Sequence, residues 1–93
     1  MIQSFADPET ETIWVGERSR RLPSDIQAVA LRKLRLLNQA QTLNDLRVPP
    51  GNRLEALRAD RAGQHSIRFN DQWRICFEWT ERGPANVEIV DYY

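Results

Sequence analysis

Between positions 46 and 74 the chain sets six arginines, Arg47, Arg53, Arg58, Arg61, Arg68 and Arg74, against Glu55, Asp60 and Asp71. Guanidinium groups are planar forks that grip phosphate or carboxylate through paired N–H donors, a geometry lysine does not reproduce. The chemistry such a set suits is the handling of a phosphate: holding it and stabilising charge that builds on it. Twelve of the thirteen basic residues are arginine. Genome composition also produces that bias, so it identifies no function alone.

The stretch "SIRFNDQWRIC" (66–76) says how two of these arginines are presented. Alternating residues flank Asn70-Asp71-Gln72, which predicts a hairpin with Phe69 opposite Trp73, Arg68 opposite Arg74 and Ile67 opposite Ile75. Like charges directly opposite cost a sheet roughly 0.2–1 kcal/mol. Either the two are solvated, screened and partly neutralised by Asp71 and Glu78, or an anion sits between them as in a phosphate-backbone groove. The same parity makes Ile67, Phe69, Trp73, Ile75, Phe77 and Trp79 a core face. Ser66, Arg68, Arg74, Cys76 and Glu78 are expected to look outward.

Other reactive residues carry less. His65 shares parity with Ile67 and reads as a packed histidine at the edge of the core. Cys76 lies on the arginine face, where positive charge could lower its pKa, but no partner base accompanies it. Tyr92 and Tyr93 close the sequence, suited to core packing with an edge hydroxyl or to stacking on a nucleobase. There is no glycine-rich phosphate loop, no HExxH and no cluster of metal ligands.

Several elements must position these groups. "MIQSF" reads as a short opening strand. Asp7 is an N-cap before Pro8 and Glu9, and the helix they begin should stop near Gly16 with Ile13 and Trp14 inward. A second helix follows, with Ser24 and Gln27 as a capping box and Ile26, Ala30, Leu34 and Leu37 at helical spacing. Arg32, Lys33 and Arg35 in its second half read as a solvated face matched to the helix dipole. A short third helix or turn is expected around Thr42–Leu46. "VPPG" (48–51) breaks the chain. Residues 53–58 are ambiguous, because Leu54, Glu55, Ala56 and Leu57 favour helix by propensity. "TERGPAN" reads as a loop and "VEIVDYY" as a last strand. Helices followed by antiparallel strands give an α+β domain with helices on one sheet face.

Ninety-three residues suit one domain spanning 1–93. At 41% hydrophobic and 28% charged the chain reads as globular, and thirteen acids balance thirteen bases. The charge is segregated, however: residues 1–17 carry acids only, whereas 18–35 and 46–74 are strongly basic. A single cysteine leaves no internal disulfide and no zinc site. No apolar run approaches the roughly 20 residues of a membrane span, and no signal-peptide pattern opens the chain. No membrane association and a cytoplasmic location are the expectation.

"PPGNRLEALRADRAGQHSIRFNDQWRICFEW" followed by "VEIVDYY" closely resembles the HigB branch of the RelE/ParE toxin superfamily, the toxins of type II toxin–antitoxin modules. "PPGNRLE", "GQHSIRFNDQWRICF" and "VEIVDY" are its most specific parts, and it spans essentially the whole chain. It implies a RelE-like fold, N-terminal helices packed on one face of a curved antiparallel sheet, and a strand rather than a helix at 53–58. It also implies ribosome-dependent mRNA cleavage without a metal or other cofactor, in which the RNA 2′-hydroxyl attacks the adjacent phosphate. The implied partners are the ribosome and mRNA, and a HigA-type helix-turn-helix antitoxin through which alone operator DNA would be bound.

Carried over by position, Arg74 of the "WR" pair holds the scissile phosphate and Arg58 contacts phosphate or stabilises charge. Tyr92 stacks on a base or supplies a hydroxyl, and Asp91 orients it. Arg68, Arg61 and Arg53 are expected to add phosphate contacts. The chain departs from the pattern twice: Tyr93 stands where many relatives have histidine, and Glu55 where some do. Glu55 is then the candidate general base, since a tyrosine, titrating at about 10, serves poorly at neutral pH. A slow nuclease is expected. A ParE-like gyrase poison without chemistry of its own, or a degenerate toxin kept as a binding subunit, are the alternatives.

Overall fold

The computed structural model describes residues 1–91; Tyr92 and Tyr93 lie outside the described residues. Helix α1 spans Pro8–Trp14, and Asp7 caps it by accepting from Glu9 N. Gly16 follows at φ +88°, the left-handed conformation that ends helices and suits glycine. Helix α2 spans Ser24–Gln39 and buries Ile26, Ala30, Leu34 and Leu37, the four residues its periodicity singles out.

The capping box expected at its start is not formed. Pro23 is the N-cap and makes no side-chain cap bond. Gln27 is drawn instead to the preceding loop: its amide donates to the carbonyls of Ser19 (2.9 Å) and Leu22 (2.8 Å), and its Oε1 accepts from Ser19 N. Satisfying that loop's backbone outcompetes the helix terminus. The expected short helix appears as a 3₁₀ turn at Leu43–Arg47, with a capping box between Thr42 and Asp45. Backbone donors of Gln41 and Thr42 hold the Asp45 carboxyl below its ordinary range.

Four strands follow: β1 (Glu55–Ala56), β2 (Gln64–Arg68), β3 (Trp73–Thr80) and β4 (Gly83–Asp91). They form an antiparallel sheet in the order β1-β2-β3-β4. Residues 53–58 thus contain a strand, against local propensity, because Glu55 and Ala56 pair with Ser66 and His65. It is only two residues long. The hairpin register holds as read, with Ile67 opposite Ile75 and Arg68 opposite Arg74.

"TERGPAN" is not a loop. Glu81 and Arg82 alone turn the chain, and Gly83–Asn86 already belong to β4. Pro84 is tolerated there because β4 is the outer strand of the sheet, and its carbonyl is used by Gln3 N at 2.8 Å. Only Gly83 fits at its position: a Cβ would stand 2.4 Å from the carbonyl oxygen of Met1. The opening residues run beside β4 through these bonds, but they make a single parallel bridge, Phe5 with Val87, rather than the strand expected. A bulge between Cys76 and Glu78 bends the sheet, with Asn86 at φ +52° on β4.

Helices α1 and α2 pack on the sheet face that presents Ile67, Ile75, Phe77, Val87 and Ile89, and with Ile13, Ala30, Leu34, Leu37 and Leu46 these form the core. Thr10 of α1 ties the layers: its hydroxyl accepts from Ile89 N at 2.9 Å. The fold is α+β, with N-terminal helices covering one face of an antiparallel sheet. No helix among the described residues is long and apolar enough to cross a membrane.

Candidate functional site

The face turned from the helices carries the candidate residues in rows fixed by the strand register. One row runs Glu55–Ser66–Cys76–Glu88 from β1 to β4, and the next holds Arg68, Arg74 and Val90. This face is not the uniformly outward surface the alternation suggests. Ser66, Cys76 and Arg74 are all buried, Arg74 to 6% exposure. The alternation separates apolar from polar, and here the polar side is covered by its own side chains, by the backbone at Arg53 and by the Arg61 side chain.

Arg74 and Arg68 face each other in register yet send their guanidiniums apart. Arg74 Nε donates to Ser66 Oγ at 2.6 Å, and its Nη2 donates to the carbonyl of Arg53 at 2.7 Å. Ser66 is the diagonal neighbour on the same face, a contact the register already contains. Arg53 sits in the left-handed region at φ +45°, uncommon for a residue with a side chain. Arg74 therefore braces the bend by which the chain enters β1. Arg68 turns back on the hairpin, bonding the Asp71 carboxylate and the Asn70 carbonyl. Glu78, the other acid expected to neutralise this pair, accepts from Asn86 instead.

Arg61 covers the middle of the face. From the turn before β2 it reaches Glu88 on β4 at 3.1 Å, and its Nη1 donates to Gln64. Cys76 lies on the row this bridge spans. Burial pushes the Cys76 thiol up, outweighing the Arg61 and Arg74 charges that pull it down. The expected lowering is thus reversed, because desolvation disfavours a thiolate more than distant cations favour it. His65 stacks on Phe77 with ring centroids 6.3 Å apart, and its buried Nδ1 has no hydrogen-bond partner among the described residues. It packs at the core's edge, as read.

Two hollows divide the remaining candidates. Glu55, Arg58 and Arg61, with Ala56 and Leu57, line a cleft of about 450 Å³. Arg58 is exposed and its guanidinium makes no hydrogen bond or ion pair among the described residues. Arg53 and Arg68 line a second groove of about 400 Å³ together with Lys33, Gly51, Phe69 and Asn70. Arg74 stands between the two, bonded to the cross-strand partner of Glu55 and to the backbone of Arg53. Asp91 is elsewhere, at the hairpin end of the sheet, where it pairs with Trp73 and accepts from Gln72. The expectation for Tyr92 falls outside the described residues.

Lys33 is the residue that sequence reasoning missed. On a helix it looks like one charge of a solvated face; the fold brings it to the Asn52 side chain and into the groove with Arg53 and Arg68. Among the described residues no three His, Cys, Asp or Glu side chains converge as metal ligands.

A family model described as the RelE-like toxin of the type II toxin–antitoxin system HigB matches residues 3–93. The chain belongs to the HigB-like toxins. Toxin HigB-1 of Vibrio cholerae is 42% identical over 90 residues, covering 96% of this chain and 95% of that protein. An uncharacterized protein of Haemophilus influenzae is 36% identical over 74 residues, 80% of this chain and 73% of its own length. Membership of this family within the RelE/ParE superfamily agrees with the α+β layout and makes the chain a toxin of the toxin–antitoxin class.

Proposed function

We propose that this HigB-like toxin is an endoribonuclease that cleaves mRNA on the ribosome and so inhibits translation. The observation that carries the reading is the cleft whose lining holds both a carboxylate, Glu55, and a guanidinium, Arg58, that has no partner among the described residues, near buried Arg74. In the proposed reaction the 2′-hydroxyl of one nucleotide gives its proton to the Glu55 carboxylate and attacks the adjacent phosphorus. The bond to the 5′-oxygen of the next nucleotide breaks, leaving a 2′,3′-cyclic phosphate, and that 5′-oxygen takes a proton from solvent water to become a hydroxyl. Arg58 stabilises the charge building on the phosphoryl oxygens, the type of interaction that is stronger in the transition state than before it. Arg61 adds positive field while held by Glu88. Arg74 positions the face and contributes charge from beneath the surface. Tyr92 supplies a stacking ring or hydroxyl, and Asp91 steadies that end of the sheet.

A ribosome that presents the mRNA supplies alignment this small surface does not, which suits a site with few converging groups. With glutamate at position 55 and tyrosine at position 93, neither place offers an imidazole as base, and turnover is slow compared with relatives bearing histidine there. A helix-turn-helix antitoxin neutralises the toxin in the cytoplasm and supplies any operator binding.

The test is cleavage of a defined mRNA by purified protein with and without programmed ribosomes. Cuts within translated codons, appearing only when ribosomes are present, are expected, together with growth arrest on expression without antitoxin. Intact transcripts alongside DNA damage would instead place the protein among gyrase poisons.

A further inference from the structure

The groove lined by Lys33, Gly51, Arg53, Arg68, Phe69 and Asn70 is separate from the Arg58 cleft, and none of its lining residues is acidic. Its three cations come from three different elements: α2, the bend before β1, and β2. Such convergence is made by the fold; neighbours in sequence do not produce it. We infer that this groove is a second RNA site, which holds a backbone phosphodiester between Lys33 and Arg53 and sets a neighbouring base against Phe69. The inference rests on the nuclease reading for its choice of RNA.

The groove is built rather than incidental. Asn52 is fully buried, and its Nδ2 donates to the carbonyls of Leu46 (3.2 Å) and Val48 (3.3 Å). That leaves Oδ1 fixed in place to receive the Lys33 ammonium. One of the three ammonium protons is so engaged, and the others are available for an anion. On the opposite wall Arg74 fixes the Arg53 carbonyl, and with it the left-handed bend from which the Arg53 side chain projects. Arg53 is exposed and its guanidinium makes no bond among the described residues. Arg68 lends a weaker field, since Asp71 answers part of its charge. Burial holds the Lys33 ammonium below its ordinary pKa, with the Arg32 charge adding to the effect. A phosphate arriving there replaces lost solvation. Phe69, partly buried against the core, turns its remaining surface into the groove lining as a ring of the kind single-strand sites use for stacking.

Two variants test this. The double change Lys33→Gln with Arg53→Gln removes both cations, and Gly51→Glu inserts a carboxylate. A Cβ at Gly51 meets nothing within 4 Å, so the second variant keeps the fold even if the first disturbs Asn52. The probes are a fluorescein-labelled 2′-O-methyl oligouridine, which lacks the attacking hydroxyl, and vacant ribosomes. Each variant, melting like the parent, should bind one probe about tenfold more weakly, and the double variant should lose about 0.7 from the log–log salt slope per contact removed. Weakening on the oligouridine assigns the groove to mRNA, and weakening on vacant ribosomes assigns it to ribosomal RNA. Unchanged affinity and slope on both probes would overturn the inference. If the parent cuts no mRNA on programmed ribosomes yet the variants lose binding, the groove stands and the nuclease reading falls.

Discussion

On the helix side of the sheet, Ile67, Ile75 and Phe77 are sealed by apolar side chains of α1, α2 and the Leu43–Arg47 turn. On the other side Ser66, Arg74 and Cys76 are sealed as completely, but by polar atoms: a hydroxyl, a backbone carbonyl, and the Arg61–Glu88 bridge. The two faces hold together by different physics. Apolar burial is non-directional and tolerates repacking, whereas a buried guanidinium needs its acceptors in place. The polar face can therefore present charge at fixed positions, which a site for phosphate requires. Buried Arg74 serves as framework, and exposed Arg58 is the arginine the proposed reaction uses.

The largest expected effect breaks the apolar side. Phe77→Ala should cost about 3–5 kcal/mol, the range for deleting a buried aromatic, and leave a marginal or unfolded domain in urea titration. Arg74→Lys tests the polar side. Lysine keeps the charge but cannot fork to Ser66 and the Arg53 carbonyl together, so a loss of about 2 kcal/mol is expected, read from the denaturation midpoint. Parental stability in that variant would mean that the brace at Arg53 is dispensable.

Much of this contrast was legible in the sequence. The hairpin register follows from alternation around Asn70-Asp71-Gln72, and the buried stripe of α2 follows from its spacing. What local pattern could not give is what covers the second face. Arg74 is buried against Ser66 and the Arg53 carbonyl, twenty-one positions away along the chain, and nothing near position 74 encodes that. Gln27 looked like a capping residue because the competing acceptors and donor, in residues 19–22, are set by the path of a loop. Gly83–Asn86 looked like a loop because glycine, proline and asparagine mark turns, yet on an outer strand with a bulge each is admissible. Lys33 looked solvated because its partner, Asn52, is nineteen positions away along the chain. The family resemblance, not propensity, resolved residues 53–58 as strand.

The smallest effect concerns Cys76. A buried thiol with a raised pKa stays protonated and shielded, so a thiol reagent at neutral pH should label it only as fast as the sheet opens. Mild denaturant should accelerate labelling sharply. The sign of the accompanying pH dependence is set: the folded thiol ionises at higher pH than the unfolded one, whose ordinary value is 9.0. Its contribution to stability is full below that pH and is lost as pH rises through the folded value. Rapid labelling of the native protein would contradict the sealed face.

In the proposed reaction Arg58, and not only the framework around Arg74, acts on the phosphate. That role is tested most directly by the single-turnover rate of mRNA cleavage on programmed ribosomes for Arg58→Ala beside the parent. The account predicts a rate at least about 100-fold lower, the scale for losing one charge-stabilising donor, with stability changed by no more than about 0.5 kcal/mol. A folded Arg58→Ala protein that cleaves at the parental rate would contradict it.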